Sequence, residues 1–165
     1  FTGLSGAGKT SLSTLYCERL RTVKRNVVFL DGDLLRAAIY DGMGHSENER
    51  RQIALRNARL CRLLADQGQD VICATISMFK EVRDWNRANI PGYCEIFVDA
   101  PMAVLMERDS KGLYDAYRKG TENSLAGLDL QVELPEAPHL HLVNDGRLTV
   151  AQMVDQIEFA FPLAE

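Results

Sequence analysis

Apolar residues along the chain follow two spacings, one typical of helices and one typical of buried strands. Apolar positions that recur every three or four residues predict helices at 9–24, around 53–64, at 79–89, at 102–107 and from 150 onward. Short unbroken apolar runs predict strands at 27–30, 71–75, 94–98 and 140–143. Strands that alternate with helices indicate an α/β, doubly wound fold, with a parallel sheet that is covered by helices on both faces.

One long stretch does not fit this alternation. Residues 108–138, called the lid segment below, are polar, contain glycine and proline, and have weak periodicity. The segment is too long for a simple connection between two elements, so we expect it to form a mobile lid.

Composition excludes several classes of protein. The 165 residues carry 19 basic and 23 acidic side chains, a net charge of −4, which argues against a nucleic-acid binder. The apolar runs are too short to span a membrane, and none has the pattern of a secretory h-region. We therefore expect a cytoplasmic protein with no nucleic-acid or membrane partner. In that compartment the four cysteines are expected to be reduced core residues.

The N-terminal glycines form a phosphate-binding motif, because residues 3–10 fit G-x-x-x-x-G-K-S/T. Glycines let the backbone curl so that N–H groups point at phosphate oxygens, and the following helix N-terminus adds partial positive charge. Lys9 would reach the β- and γ-phosphates, and the hydroxyl of Thr10 would ligate Mg²⁺. The motif predicts ATP and Mg²⁺ as cofactors. The loop residues expected to bind them are Gly3, Leu4, Ser5, Gly6, Ala7, Gly8, Lys9 and Thr10.

Two carboxylates, Asp31 and Asp33, follow the strand predicted at 27–30. Open α/β sheets bind ligands at the carboxyl ends of their strands. Asp31 could hold a water molecule of Mg²⁺, and Asp33 could accept the proton of an acceptor hydroxyl. The alternative is that Asp31 caps a helix and is followed by a turn.

Basic residues in the lid segment favour a small-molecule kinase, since phosphoryl transfer needs positive charge that a closing lid can bring. These residues are Arg108, Lys111, Arg118 and Lys119.

Taken together, these motifs resemble the adenylylsulfate kinase family, and the resemblance covers nearly the whole chain. The matching segments are the glycine loop at 2–10, L-D-G-D-L-L-R at 30–36, S-E-N-E-R at 46–50, the stretch 76–87, R-D-S-K-G-L-Y at 108–114 and the stretch 127–138. The resemblance implies a single P-loop kinase domain over residues 1–165, whose first strand is cut short at the N-terminus and whose lid spans about 108–138. We expect it to act as a homodimer.

The activity that the resemblance implies is transfer of the γ-phosphoryl group of ATP to the 3′-hydroxyl of adenylylsulfate. By the same resemblance, Asp33 contacts that hydroxyl or acts as its base, and Lys111 approaches the transferring phosphoryl group. Ser11 and Arg108 would join the ATP site. Ser77 matches a serine that in some members is described as phosphorylated or as the position of a reaction intermediate. The acceptor would be bound by Asp33, Arg36, His45, Arg50, Ile76, Ser77, Lys111 and Leu125.

Three positions depart from the family pattern, all where the acceptor's base would bind. His45 and Leu125 replace two aromatic residues that sandwich adenine in the family, and Ile53 replaces an asparagine. Stacking between a base and an aromatic ring is worth roughly 1–3 kcal/mol. The run 75–79 also resembles members that phosphorylate a cytidine diphosphate phosphoramidate, so that acceptor stays open. A third possibility is a catalytically silent P-loop regulatory module.

Overall fold

The structure of the protein, a computed structural model, describes residues 1–76, 78–109, 111–121, 125–130 and 132–162. Within these ranges four strands alternate with seven helices. The strands are β1 (Val27–Asp31), β2 (Asp70–Ala74), β3 (Ile96–Asp99) and β4 (Leu140–Val143). The helices are α1 (Lys9–Thr22), α2 (Gly32–Ile39), α3 (Glu47–Ala65), α4 (Lys80–Asn89), α5 (Met102–Arg108), α6 (Leu113–Arg118) and α7 (Val150–Ala160).

The strands pair in parallel, β1 with β2 and β3 with β4. The first two residues of the chain join the two pairs. The carbonyl of Phe1 accepts from the N–H of Thr75 at 3.1 Å, and the N–H of Thr2 donates to the carbonyl of Ile96 at 2.9 Å. Thr2 also bridges Phe97 in the parallel sense. The order across the sheet is therefore β1, β2, residues 1–2, β3, β4, which confirms the predicted parallel α/β architecture.

Alternation along β2 places helices on both faces of the sheet. Ile72 packs with Cys17 and Leu20 of α1 on one face. The thiol of the next residue, Cys73, contacts the thiol of Cys61 in α3 on the other face. All four cysteines are free, but Cys94 is exposed on the loop before β3. The expectation that every cysteine lies in the core is therefore wrong for Cys94.

The sequence pattern missed α2. This helix has only eight residues, and Leu34 and Ile39 are 67% and 56% exposed, so its apolar positions do not form one buried stripe. The predicted strand at 94–98 is also displaced, since β3 runs from Ile96 to Asp99. In the described ranges no helix combines the length and apolar character needed to cross a membrane.

The lid segment contains more regular structure than its composition suggests. It begins at the end of α5 and includes α6. Tyr114 of α6 is 1% exposed and belongs to the main core, the apolar cluster that also contains Leu12, Val98 and Met153. Its far end is tied to α4. Arg83, which is 4% exposed, donates to the carbonyls of Glu133 and Leu134 at 2.8 and 3.3 Å, and Arg87 donates to that of Ala137 at 2.9 Å. Mobility of this segment stays a prediction.

Candidate active site

The phosphate-binding loop leads directly into α1, which begins at Lys9. Gly8 is the N-cap of α1, and its φ of 100° is a left-handed conformation that residues other than glycine rarely adopt. A Cβ atom at Gly8 would also lie 2.4 Å from the Nδ2 atom of Asn144. The first N–H groups of an α-helix have no partner inside the helix, so the start of α1, next to the glycine loop, has the chemistry that suits an anion.

Lys9 lies over this loop, and its Nζ donates to the carbonyl of Leu4 at 2.8 Å. Burial, followed by the nearby positive charge of Lys111, lowers the pKa of Lys9 to about 8, whereas Asp33 and Asp31 act in the opposite direction. A bound phosphate would add negative charge next to the ammonium group and favour its protonated form. Lys9 is thus placed to respond to a nucleotide's phosphates.

Asp31 ends β1 and uses its two carboxylate oxygens differently. Oδ1 accepts from the N–H groups of Asp33 and Leu34 at 2.9 and 3.3 Å, which caps α2. Oδ2 accepts from the hydroxyl of Thr10 at 2.8 Å. The two alternatives for Asp31 are therefore not exclusive: it is the N-cap, and it also contacts the predicted Mg²⁺ ligand. Hydroxyl and carboxylate oxygens are donors that Mg²⁺ prefers, so this pair fits that ion.

Asp33 and Lys111 meet across the cavity. Asp33 lies in the first turn of α2, and the Nζ of Lys111, from the lid segment, donates to its Oδ2. The side chains are 68% and 47% exposed, so the pair contributes little to folding stability. The pair matters for the site, because it places a lysine of the lid segment next to a carboxylate that follows the carboxyl end of β1.

Arg36 and Arg50 are positioned by the loop that precedes α3. Arg36 donates to the carbonyls of Met43 and Gly44 at 3.1 and 3.2 Å, and Arg50 donates to that of His45 at 2.8 Å. The loop is set by a capping box, in which Ser46 and Glu49 bond each other's backbone N–H. The S-E-N-E-R motif is thus the start of α3, and its last residue, Arg50, lies in the first turns of that helix.

A single cavity of about 940 Å³ brings most of the predicted site residues together. It is lined by Ser5, Gly6, Gly8, Lys9, Thr10, Ser11, Asp31, Asp33, Arg36, His45, Arg50, Ile76, Arg108, Lys111 and Leu125. Three other loop residues shape the loop from behind. Gly3 approaches β3 so closely that a Cβ would lie 2.2 Å from the carbonyl oxygen of Val98, Leu4 packs under Gly127, and Ala7 is 1% exposed. Ser77 lies outside the described residues.

Two residues that the sequence reasoning missed hold the loop in place. The hydroxyl of Tyr114 donates to the carbonyl of Ser5 at 3.0 Å in a buried contact. Asn144, just after β4, donates from Nδ2 to the carbonyl of Ala7 at 2.9 Å and accepts from Arg108 at 3.1 Å. The loop is therefore connected to both ends of R-D-S-K-G-L-Y. A tyrosine inside that motif was a visible signal, whereas nothing in the sequence marked the asparagine.

Comparison with known proteins assigns the chain to a family. A family model described as adenylylsulphate kinase matches residues 1–143. The chain belongs to this family. It is 38% identical over 166 residues to an adenylyl-sulfate kinase of Aeromonas hydrophila, covering 99% of this chain and 83% of that protein. The family is one of P-loop phosphotransferases that act on a hydroxyl acceptor, so the kinase interpretation is confirmed at this level.

Two further proteins are similar over nearly the whole chain. A cytidine diphosphoramidate kinase of Campylobacter jejuni is 36% identical over 159 residues, covering 94% of this chain and 91% of that protein. The solved structure of the Mycobacterium tuberculosis APS kinase CysC, in complex with AMPPNP and APS, superposes with a TM-score of 0.90 at 31% identity. It covers 99% of this chain and 95% of that one. The P-loop kinase fold is thus confirmed.

Proposed function

We propose that this protein transfers the γ-phosphoryl group of ATP to the 3′-hydroxyl of adenylylsulfate and forms 3′-phosphoadenylylsulfate. One observation carries the proposal: the Asp33–Lys111 pair opens into the same cavity as Lys9. Phosphoryl transfer depends on positioning and charge stabilisation, and this cavity places a base and two cations around one space.

On the donor side, the loop amides and Lys9 bind the phosphates, and Arg108, held by Asn144, lines the part of the cavity next to the loop. Thr10 and Asp31 would hold Mg²⁺, which supplies charge neutralisation for the phosphates when bound. The lysine and the loop amides orient the γ-phosphoryl group toward the acceptor side. This division of tasks keeps the donor site complete before the acceptor enters.

On the acceptor side, Asp33 accepts the proton of the attacking hydroxyl. Lys111 moves from Asp33 toward the transferring phosphoryl group as the acceptor arrives, which frees the carboxylate for the hydroxyl. Arg36 and Arg50 line the cavity nearby and suit the anionic linkage of adenylylsulfate, because a guanidinium can donate two parallel hydrogen bonds.

A second acceptor, a cytidine diphosphoramidate, is favoured by a specific observation. His45 and Leu125, which replace the two aromatic residues of the family pattern, both line the cavity. Without those rings the site loses its stacking surfaces for adenine. The Campylobacter jejuni relative is named for the cytidine substrate. A silent regulatory module is disfavoured, since Lys9, Asp33 and Lys111 are all present and assembled.

The test is a coupled assay that measures ADP release with ATP and Mg²⁺ against adenylylsulfate or cytidine diphosphoramidate. Turnover with adenylylsulfate, together with a 3′-phosphorylated product, supports the proposal. Higher kcat/KM with the cytidine compound supports the second candidate, and no turnover with either, at measurable ATP binding, leaves the regulatory module.

Two expectations accompany this proposal. A homodimer predicts twice the 18.5 kDa mass of the chain in light scattering after size-exclusion chromatography. A cytoplasmic location predicts that a C-terminal fusion fractionates with the soluble contents of the cell.

A further inference from the structure

An amide lies deep in the acceptor side of the cavity. Arg50, Ile53 and Asn57 follow one another along α3 at spacings of three and four residues, so they share one face of the helix, and all three line the cavity. At 1.5 Å per residue, Asn57 lies about 10 Å along the helix from Arg50. That separation resembles the length of a nucleotide from its 5′-phosphate to its base.

The orientation of this amide is fixed by a tyrosine. Asn57 is 5% exposed, and its Oδ1 accepts from the hydroxyl of Tyr40 at 2.8 Å in a buried contact. Burial raises the pKa of Tyr40, so its hydroxyl keeps the proton that it donates. The amide oxygen therefore faces Tyr40, and the NH₂ group is turned away from it.

The NH₂ group of Asn57 makes no hydrogen bond to the part of the chain that the structure describes. Among the residues that the structure describes, none accepts a hydrogen bond from Nδ2, although the side chain is almost fully buried. The described buried side-chain atoms without a partner are Asn86 Oδ1 and Glu95 Oε1, so the Nδ2 atom of Asn57 is not sealed in the core and stays open to water or to a ligand. The same cavity is also lined by the apolar side chains of Ile53, Met78 and Leu125. A flat ring with an acceptor atom on its edge fits this environment.

The chemistry of the edge distinguishes two kinds of base. Adenine and cytosine have an unprotonated ring nitrogen beside an exocyclic amine, and this nitrogen accepts a hydrogen bond. Hypoxanthine and uracil carry N–H at the corresponding position, where a donor would face the donor of Asn57. The second lone pair of Oδ1 can accept from the exocyclic amine, as asparagine does when it reads adenine.

We propose that Asn57 is a specificity residue, which reads the edge of the acceptor's base and selects the amino bases adenine and cytosine over hypoxanthine and uracil. The inference rests on the proposed function, since it concerns the acceptor of that reaction. It applies equally to adenylylsulfate and to cytidine diphosphoramidate. Tyr40 is the positioning residue that keeps the NH₂ group directed at the base.

The test compares matched acceptors: adenylylsulfate with its hypoxanthine counterpart, and cytidine diphosphoramidate with its uridine counterpart. Wild type should favour the amino base in the pair that it uses by at least about tenfold in kcat/KM, because the keto base leaves two donors opposed. Asn57→Asp, assayed at pH 8 to keep the carboxylate ionised, can only accept and should shift the preference toward the keto base. Tyr40→Phe lets the amide turn over and should shrink the preference.

Asn48→Asp, at an exposed asparagine in the first turn of the same helix, is the matched control and should leave the preference unchanged. Thermal unfolding and ATP binding check that each variant is folded. Equal use of amino and keto acceptors by wild type overturns the inference without any variant, and so does an Asn57→Asp protein that keeps the wild-type preference. In both cases turnover itself still supports the proposed function. If neither pair is used while ATP binds, the proposed function fails and the inference fails with it.

Discussion

The donor and acceptor sides of the cavity differ in which groups of the chain form them, backbone or side chains. The donor side is mostly backbone, shaped by Gly8 and by carbonyls that Tyr114 and Asn144 hold in place. The acceptor side is made of side chains, and two of them, Asp33 and Lys111, are largely exposed. A site made of backbone needs glycine at fixed positions, so a short motif reveals it. Where side chains form a site, a single substitution changes one contact at a time, so the preferred ligand can change while the fold is kept.

The largest difference between the two sides is expected for a substitution at Lys9, on the donor side. Lys9→Ala should lower kcat by about a thousandfold, since removal of one charge-stabilising group costs a hundredfold to a thousandfold. The melting temperature should stay close to that of wild type, because the side chain supports phosphates rather than packing. The control is Lys24→Ala, at an exposed lysine. A variant at Lys9 that keeps most of its turnover would disprove the kinase mechanism.

On the acceptor side, Asp33→Asn should lower kcat by about a hundredfold, since it removes the base but keeps the shape of the side chain. The affinity for ATP should not change at pH 6, where Lys9 is cationic with or without the Asp33 carboxylate that raises its pKa. Isothermal titration with a non-hydrolysable ATP analogue measures this. A parallel loss of ATP affinity would show that the two sides are not independent.

Restoring the aromatic pair should sharpen the distinction between the two acceptors. His45→Phe with Leu125→Phe should raise kcat/KM for adenylylsulfate about tenfold, and by more than either change alone, because each ring needs its opposite. Leu125 is 6% exposed in the main core, so the larger ring should also lower the free energy of unfolding by about 1–3 kcal/mol. A double variant with no gain would indicate that the site binds adenine through other contacts.

The lowered pKa of Lys9 predicts a pH dependence confined to the donor side. In the free protein Lys9 is cationic below about pH 8 and loses its proton as the pH rises through that value. ATP binds best to the cation, so its affinity should fall about fivefold between pH 7 and pH 9. In Lys9→Arg the guanidinium stays charged, and the affinity should be flat over this range. The same slope in both proteins would assign the titration to another group.

The smallest expected effect concerns the lid segment. Without ligand, peptides covering 118–121 should exchange amide hydrogens faster than β2, because these residues are exposed whereas Tyr114 is held in the core. Peptides covering 133–137 should be protected, since Arg83 and Arg87 bind this backbone. Hydrogen exchange with mass spectrometry measures both. Uniform protection of the whole segment would show that it is not a lid.

The sequence predicted the fold and the phosphate loop well because both depend on local patterns, the spacing of apolar residues and the placement of glycines. Apolar spacing located most helices and strands, and the glycines placed the loop. It missed α2, whose apolar residues Leu34 and Ile39 face solvent. It also missed Asn57 and Asn144, because an isolated asparagine has no pattern until the fold brings it beside a cavity or a loop. Contacts between distant segments are invisible to local spacing.

The bonds from Arg83 have an evolutionary consequence. Both of its bonds to the lid segment end on backbone carbonyls, those of Glu133 and Leu134, and not on side chains. Point substitutions at these two positions therefore leave the acceptor of each bond in place. A deletion or insertion there would shift the carbonyls away from an arginine that is 4% exposed and has no solvent to replace them. Across homologues the length of this strip should stay constant, and residue type should vary freely at Leu134, whereas the side chain of Glu133 also accepts from the N–H of Lys80 at the start of α4.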